Sequence, residues 1–278
     1  MLLADRHPTR RAGRTVTGRT VTGRTRALIG AGGLAAVVVV AFAAWFFLLR
    51  DDAPDAATSD AAIAALGDDT GSIPPGNTPS GTVEPASVDG VWTVDTSVGT
   101  AEYPFDDRSY VGYRVTEELA SIGTNTVVGR TLGVSGRLEI AGTQMMAVDI
   151  LADFTRLESD SSGRDSALRT QALETAAFPE ATFVSTGPVD LGEVPANGET
   201  ITIDAIGELT LHGVTNTITV PLEATLVGDA IVVVGRASVA FADFDITTPT
   251  AAIVVSVEDV GELEFQLFFT RSAGDVEE

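Results

Sequence analysis

From residue 91 onward, apolar and polar side chains alternate along the chain, and this alternation predicts β-strands. A period of two places the apolar side chains on one face of a strand and the polar ones on the other. The longest runs flank residues 212–216, and their apolar members are Ile201, Ile203, Ala205, Gly207, Leu209 and Leu211, then Ile218, Val220, Leu222, Ala224 and Leu226. Because Gly213 can adopt a positive φ, we expect a tight turn there and a long antiparallel hairpin.

Shorter alternating runs predict further strands on either side of this hairpin. They cover residues 91–97, 110–119, 132–140, 145–154, 182–187, 231–241, 253–257 and 263–269. One helix is expected over residues 164–177, because a serine can cap its start and Asp165 lies in its first turn. Pro179 follows its end. About eight antiparallel strands with one helix favour an all-β fold, a closed eight-stranded barrel over residues 91–271, since closure removes exposed strand edges.

The chain before the strands contains a segment with the composition of a membrane anchor. Residues 27–49 carry no charged side chain and would span about 34 Å as a helix, which matches the hydrocarbon core of a bilayer. Seven arginines precede this segment, so the positive-inside rule places the N-terminus in the cytoplasm. The apolar run continues through Trp45–Leu49, beyond a potential cleavage site at Ala41–Ala43. We therefore expect an uncleaved single-pass anchor, with the strand domain outside the cytoplasm.

Three flanking segments lack the pattern of a folded domain. Residues 1–26 are polar and basic, typical either of an arm that binds a cytoplasmic partner or of a solvated tail that fixes topology, and we favour the tail. Residues 50–90 are rich in Ala, Asp, Thr, Ser, Gly and Pro, which predicts a disordered linker in which a brief helix over 56–66 is not required. Residues 272–278 form an acidic tail.

Charge and cysteine content exclude several classes of function. The chain has 278 residues and a formal net charge of −22. Residues 1–50 hold eight of the 17 basic residues and one of the 39 acidic residues, so nine arginines face 38 acids in the remainder, a net charge of −29. Such a charge argues against a nucleic-acid partner. The absence of cysteine excludes disulfides, thiolate metal sites and lipid-modified cysteine.

Four short motifs occur in an order that resembles the YceI-like family. They are Trp92-x-x-Asp95, then Arg164-Asp165-x-x-Leu168-Arg169 with Phe178-Pro179-x-x-x-Phe183, then Gly207-x-Leu-Thr-Leu-His-Gly-Val-Thr215, and last Asp243-Phe244-x-Ile246. The resemblance covers about two thirds of the chain, from Val91 to Arg271. It implies an extended, lipocalin-like antiparallel barrel that encloses a polyisoprenoid or another long amphiphile. The chain departs from the family pattern at Phe241-Ala242, where Arg is usual, and at Asp245, where Gly is usual; it also lacks the early histidines often seen in family members.

The residues themselves offer little catalytic chemistry. His212 is the one histidine after the predicted anchor, and a Ser-His-Asp set is formally possible through it. Its position beside the turn glycine favours a hydrogen-bonding role that holds the turn. The adjacent pairs Asp106-Asp107 and Glu117-Glu118 point to opposite faces of a strand, which is typical of solvated charges. We find no metal-ligand spacing and predict no catalytic residue, no metal and no enzymatic activity.

The interior of the barrel is the remaining candidate site. Inward positions mix large side chains (Phe154, Phe241, Phe265, Phe269) with small ones (Ala152, Ala205, Gly207, Ala224, Gly235, Ala237). Either the small residues leave a narrow apolar tunnel, or large residues opposite them fill the space. The resemblance favours a tunnel, and the predicted apolar lining residues are Val148, Ile150, Phe154, Leu209, Leu211, Leu222, Val239, Phe241, Phe265 and Phe269.

These features together predict a membrane-tethered lipid-binding protein outside the cytoplasm. It would store or transport a polyisoprenoid or quinone-like lipid, the one small molecule expected, and it would otherwise need no cofactor. Its partners would be this lipid and the cytoplasmic membrane, while the sequence names no protein partner. The alternative is a surface interaction or stress-protective module with a filled barrel and no lipid ligand.

Overall fold

The structure, a computed structural model, describes residues 53–69, 87–100, 102–120, 123–249 and 254–272. The predicted basic tail (1–26), the predicted anchor (27–49) and nearly all of the predicted acidic tail lie outside these ranges. Within these ranges, no helix is both long and apolar enough to cross a membrane.

Thirteen strands and two short helices make up the described structure. The strands are β1 (Gly90–Asp95), β2 (Tyr110–Leu119), β3 (Gly123–Thr131), β4 (Val134–Ala141), β5 (Gln144–Asp153), β6 (Glu158–Ser159), β7 (Glu180–Ser185), β8 (Val189–Asp190), β9 (Thr200–Leu211), β10 (Val214–Val227), β11 (Ala230–Ala240), β12 (Val254–Val257) and β13 (Val260–Arg271). The helices are α1 (Ser59–Asp69) and α2 (Ser162–Ala167), and a π-helical turn, Leu168–Ala172, continues α2. Two 3₁₀ turns follow β5 and β11, at Phe154–Arg156 and Phe241–Phe244.

Eight of these strands close into a barrel. Neighbours pair in the order β1, β4, β5, β7, β9, β10, β11, β13, and β13 then pairs with β1 to complete the ring. All of these pairs are antiparallel, which confirms the predicted all-β barrel. On the edge of β13 opposite β11, residues 268–271 pair with β1 and residues 262–266 pair with β2. The sheet therefore extends beyond the ring through β2 and β3.

The central hairpin forms as the sequence predicts. Strands β9 and β10 pair in register from Leu211–Val214 at the turn to Thr200–Thr225 at the far end. His212 and Gly213 form the two-residue turn with φ angles of 51° and 75°. Positive φ at both central positions is typical of a type I′ turn, whose twist matches that of the strands it joins.

Several predicted boundaries differ from the structure. The alternation does not predict β3, because the Thr-rich start of this strand lacks alternating apolar residues. The helix starts at Ser162, two residues before the predicted start, with the side chain of Ser161 accepting a hydrogen bond from the Arg164 amide, and it ends at Ala172 instead of 177. Glu174 has a φ of 45°, in the left-handed region, which stops a right-handed helix. Phe154 and Phe241 begin 3₁₀ turns and do not end strands.

Residues 53–69 differ from the extended linker that composition suggests. Helix α1 packs on the outer face of the barrel, where Ala62 joins Val232, Val234 and Phe268 in a small apolar cluster. The cause lies in β11, which is buried at every position from 230 to 235 and so needs cover on both faces.

Candidate functional site

The inward faces of the barrel strands enclose two apolar cavities. The first, which we call cavity 1, has a volume of about 130 Å³, and the second, cavity 2, a volume of about 110 Å³. An apolar cavity of roughly 150 Å³ in a protein stays dry and can take up an apolar ligand. The interior of this barrel is therefore suited to hydrocarbon.

Cavity 1 occupies the part of the barrel far from the His212–Gly213 turn. Of the 28 described residues that line it, only Thr182 and Thr225 have side chains with N–H or O–H groups. The Thr225 hydroxyl is already engaged, 2.8 Å from the hydroxyl of Thr200. The wall of cavity 1 thus offers a ligand dispersion contacts and little else.

Cavity 2 lies toward the turn end of the hairpin. The π-helical turn contributes Leu168 and Ala172, and the loop after β11 contributes Ile246 and Pro249. The Arg164-Asp165-x-x-Leu168-Arg169 motif therefore helps to line the interior. Leu263 of β13 is the one residue that lines both cavities among the described residues.

All ten residues of the predicted lining face one of the two cavities. Six line cavity 1, namely Val148, Ile150, Leu209, Leu222, Phe265 and Phe269. Four line cavity 2, namely Phe154, Leu211, Val239 and Phe241. Their part in binding a ligand stays a prediction. Leu263 and Phe183 also line cavity 1 but are not among the ten predicted residues, although the alternation along β13 and β7 places both side chains inward.

The small inward residues differ in whether the space beside them is empty or filled. Ala152, Ala205 and Ala224 line cavity 1 and leave it room. At Gly207, however, a Cβ would lie 2.3 Å from the Phe183 ring, and at Gly235 it would lie 2.4 Å from the Phe265 ring. The rings of neighbouring strands fill the space above these two glycines, so at these two positions the second of the predicted alternatives holds, in which large residues occupy the space.

Tyr113 places a polar group at the wall of cavity 2. Its hydroxyl oxygen is buried, and no group of the described residues forms a hydrogen bond with it. Burial raises the pKa of this hydroxyl, which therefore stays protonated. The ring packs over Gly129, where a Cβ would lie 2.4 Å from it. A buried hydroxyl without a hydrogen-bond partner costs free energy, so the hydroxyl of Tyr113 lowers the stability of the fold.

His212 ties the hairpin turn to two neighbouring segments. Its Nδ1 lies 3.1 Å from the Phe244 carbonyl oxygen, its Nε2 lies 3.2 Å from a Glu174 carboxylate oxygen, and its ring meets Phe178 edge to face. Both ring nitrogens are therefore engaged within the fold, so this geometry offers no free nitrogen to a reacting group. The expected hydrogen-bonding role of His212 agrees with these contacts.

The charged pairs singled out in the sequence make structural contacts. Asp106 pairs with Arg130, Glu117 accepts from Asn125 and pairs with Arg164, and Asp107 accepts from the Thr100 amide. No group of His, Asp or Glu side chains within the described ranges is arranged to hold a metal ion.

A buried polar cluster lies on the outer face of β2, β3 and β13. The side chains of Arg130 and Glu264 are fully buried and pair at 3.0 Å, and Arg114 also reaches Glu264 at 3.3 Å. Burial lowers the pKa of Arg130, but Tyr110, Glu264 and Asp106 outweigh that effect and raise it. The two arginines also donate to the carbonyl oxygens of Pro54 and Asp55, at 2.7 and 3.0 Å. The cluster thereby fastens Pro54 and Asp55 to β2 and β3.

Comparison with known proteins places this architecture in context. A family model described as YceI-like domain matches residues 92–269. No curated protein matches the chain. A polyisoprenoid binding domain from Saccharophagus degradans, implicated in plant cell wall breakdown, is 20% identical over 66% of this chain and 98% of its own, with a TM-score of 0.49. BcnA from Burkholderia cenocepacia is 19% identical over 58% of this chain and 95% of its own, with a TM-score of 0.45. A YCEI protein from Campylobacter jejuni is 16% identical over 52% of this chain and 84% of its own, with a TM-score of 0.43.

Proposed function

Since the chain belongs to the YceI-like domain family, with more than half of its length matched, we propose that its barrel binds a polyisoprenoid or similar long-chain amphiphile. The observation that carries this proposal is the interior itself, two cavities with almost wholly apolar walls inside a closed barrel. Transfer of hydrocarbon from water into such walls stabilises the complex by about 0.8 kcal/mol per methylene group. A long chain can therefore bind with few polar contacts.

The proposal includes attachment to the cytoplasmic membrane through residues 27–49, with the barrel on the outer side. The charge-free segment and the arginines before it support this topology. A barrel tethered there would take lipid from the bilayer, shield the chain from water, and store it or transport it without covalent chemistry.

A surface interaction module is the second candidate. Two observations favour it: the Phe183 and Phe265 rings fill part of the interior, and Val184 and Ile206 are 44% and 49% exposed on the outer faces of β7 and β9. Exposed apolar side chains on neighbouring strands can form a contact surface for another protein. Such a module would show no lipid-dependent change in melting temperature.

Organic extraction of the purified full chain, followed by mass spectrometry, tests the lipid proposal. Lipid bound around the anchor must be separated from lipid inside the barrel, and Ala205→Leu does this because Ala205 is fully buried and lines cavity 1. We expect one class of long-chain lipid to fall at least about tenfold in this variant, since the added side chain occupies the cavity. Ile206→Leu is the matched control, because the adjacent side chain points outward and is 49% exposed.

The two candidate functions predict opposite results. The lipid proposal requires that Ile206→Leu keep the wild-type lipid and that removal of lipid lower the melting temperature of the wild type. If wild type and Ala205→Leu yield the same lipids in the same amounts, the interior is not a lipid site and the interaction module is the better account.

A further inference from the structure

The two cavities follow one another along the barrel, and Leu263 lies at their boundary. On β9, Leu209 lines cavity 1, and Leu211, the next inward residue, lines cavity 2. The same change occurs on β2, between Val111 and Tyr113. On β13 the boundary falls on Leu263 itself, which contributes to both walls. The two cavities are thus consecutive along these three strands, and Leu263 is the described residue that they share.

Three side chains meet at this boundary, and that of Leu263 is the one that can change conformation. Leu263 pairs with Tyr113 on one side and with Ala237 on the other. The Tyr113 ring is held over Gly129, while Ala237 is small and ends at its Cβ. Leu263 is only partly buried and packs against the core cluster without belonging to its fully buried members. A leucine side chain at such a position can change rotamer without moving the strand.

We infer that Leu263 determines the chain length of the ligand, an inference that rests on the proposed lipid-binding function. A short chain occupies cavity 1 alone. A longer chain reaches cavity 2 only when it displaces the Leu263 side chain. Removal of that side chain joins the cavities and favours longer chains, whereas a larger side chain seals cavity 2 and favours shorter ones.

Photocrosslinking of the full chain tests this assignment. The probes are farnesol and the longer hexaprenol, each made in two forms with a diazirine at one end or the other, so that either orientation in the barrel is detected. Mass spectrometry of the digested protein then reports whether label is attached to cavity 1 residues, such as Leu209, or to cavity 2 residues, such as Leu211 and Val239. Label in the membrane anchor falls on other peptides and does not interfere.

Three variants give the expected pattern. In Leu263→Ala, hexaprenol labelling of cavity 2 rises at least about fivefold over wild type, while farnesol continues to label cavity 1. Val260→Ala is the control, because Val260 lies on the same strand, is 45% exposed and is not among the described residues that line either cavity. It leaves cavity 2 labelling unchanged. Leu263→Phe keeps a large apolar side chain and lowers cavity 2 labelling, which tests the assignment even if the alanine variants lose stability.

The outcomes separate this inference from the proposed function. Equal cavity 2 labelling by hexaprenol in wild type, Leu263→Ala and Leu263→Phe would overturn the role of Leu263, while labelling inside the barrel would still support lipid binding. Absence of label from both cavities with every probe and in every variant would overturn both.

Discussion

The His212–Gly213 turn shows how two residues fix the end of a long hairpin. Histidine tolerates the left-handed conformation better than most residues, and glycine adopts it without steric cost. The His212 ring then bridges Phe244 and Glu174, so the turn also positions the loop and helix end that close cavity 2. A residue with no catalytic contact thereby shapes the candidate site.

Replacement of the turn glycine is expected to be unusually costly. In Gly213→Ala the methyl group must adopt a φ near 75° and would lie 2.6 Å from the Phe178 ring, which itself packs on His212. We expect a loss of about 2–3 kcal/mol, combining about 1 kcal/mol of backbone strain with overpacking. Gly228→Ala is the control, because it has a φ of 59° but no atom within 4 Å of the added Cβ. Thermal unfolding should rank Gly213→Ala clearly below Gly228→Ala, and equal melting temperatures would contradict the role of Phe178.

Removal of the Tyr113 hydroxyl is expected to stabilise the ligand-free protein. Tyr113→Phe deletes a buried group without a hydrogen-bond partner among the described residues, which should gain about 1 kcal/mol. Tyr103→Phe is a control of opposite sign, since the Tyr103 hydroxyl donates to the Val128 carbonyl oxygen at 3.2 Å. Melting temperatures measure both effects. A lower melting temperature for Tyr113→Phe would show that its hydroxyl is satisfied in solution.

At the scale of elements, the apolar outer face of β11 explains why α1 packs against the barrel. Strand β11 presents Ile231 and Val233 to cavity 1 and Val232 and Val234 to the outside, so it is apolar on both faces. Helix α1 covers the outer face, while Arg114 and Arg130 hold the residues before it. A segment with linker-like composition thus becomes part of the folded domain because the barrel supplies its missing partner.

A charge placed under α1 is expected to release it. Ala62 is fully buried against the barrel, whereas Ala61 is exposed one position earlier. We expect Ala62→Asp to expose residues 53–69 to protease, because burial of an unpaired carboxylate costs several kcal/mol. Ala61→Asp has the same helix propensity and total charge, and it should retain the protection of the wild type. Equal cleavage of the two variants would show that α1 does not depend on this contact.

At the scale of the whole molecule, all three tyrosines of the chain have raised pKa values. Burial is the main cause in each case, and it raises the pKa of Tyr103 to about 12 from its ordinary value of 10.0. The folded protein therefore retains phenol protons that the unfolded chain loses above pH 10. Stability is fully present below that pH and falls as the pH rises toward the folded values.

An absorbance titration tests this coupling. We expect little tyrosinate between pH 10 and the onset of alkaline unfolding, and then a cooperative rise as the barrel opens. Far-UV circular dichroism on the same samples should change over the same pH interval. Tyrosinate that forms near pH 10, while the circular dichroism stays native, would contradict the burial of these side chains.

The local architecture follows from the order of residues along the chain. Alternation gave the central hairpin and most barrel strands, and Gly213 indicated the tight turn, because side-chain period and backbone freedom are local properties. The same alternation placed residues such as Leu209 and Phe265 on the inward face. It did not reveal β3, whose early residues are polar on both faces and which forms through pairing with β2.

Which inward positions are empty depends on contacts between side chains of different strands. Gly207 and Ala205 are both small and inward, yet the Phe183 ring covers the glycine while the alanine lines cavity 1. Likewise, the division of the interior at Leu263 depends on Tyr113 and Ala237, which meet it from strands far apart in the chain. A cavity is a relation between side chains on different strands, and the alternation within one strand carries no information about what lies across from it.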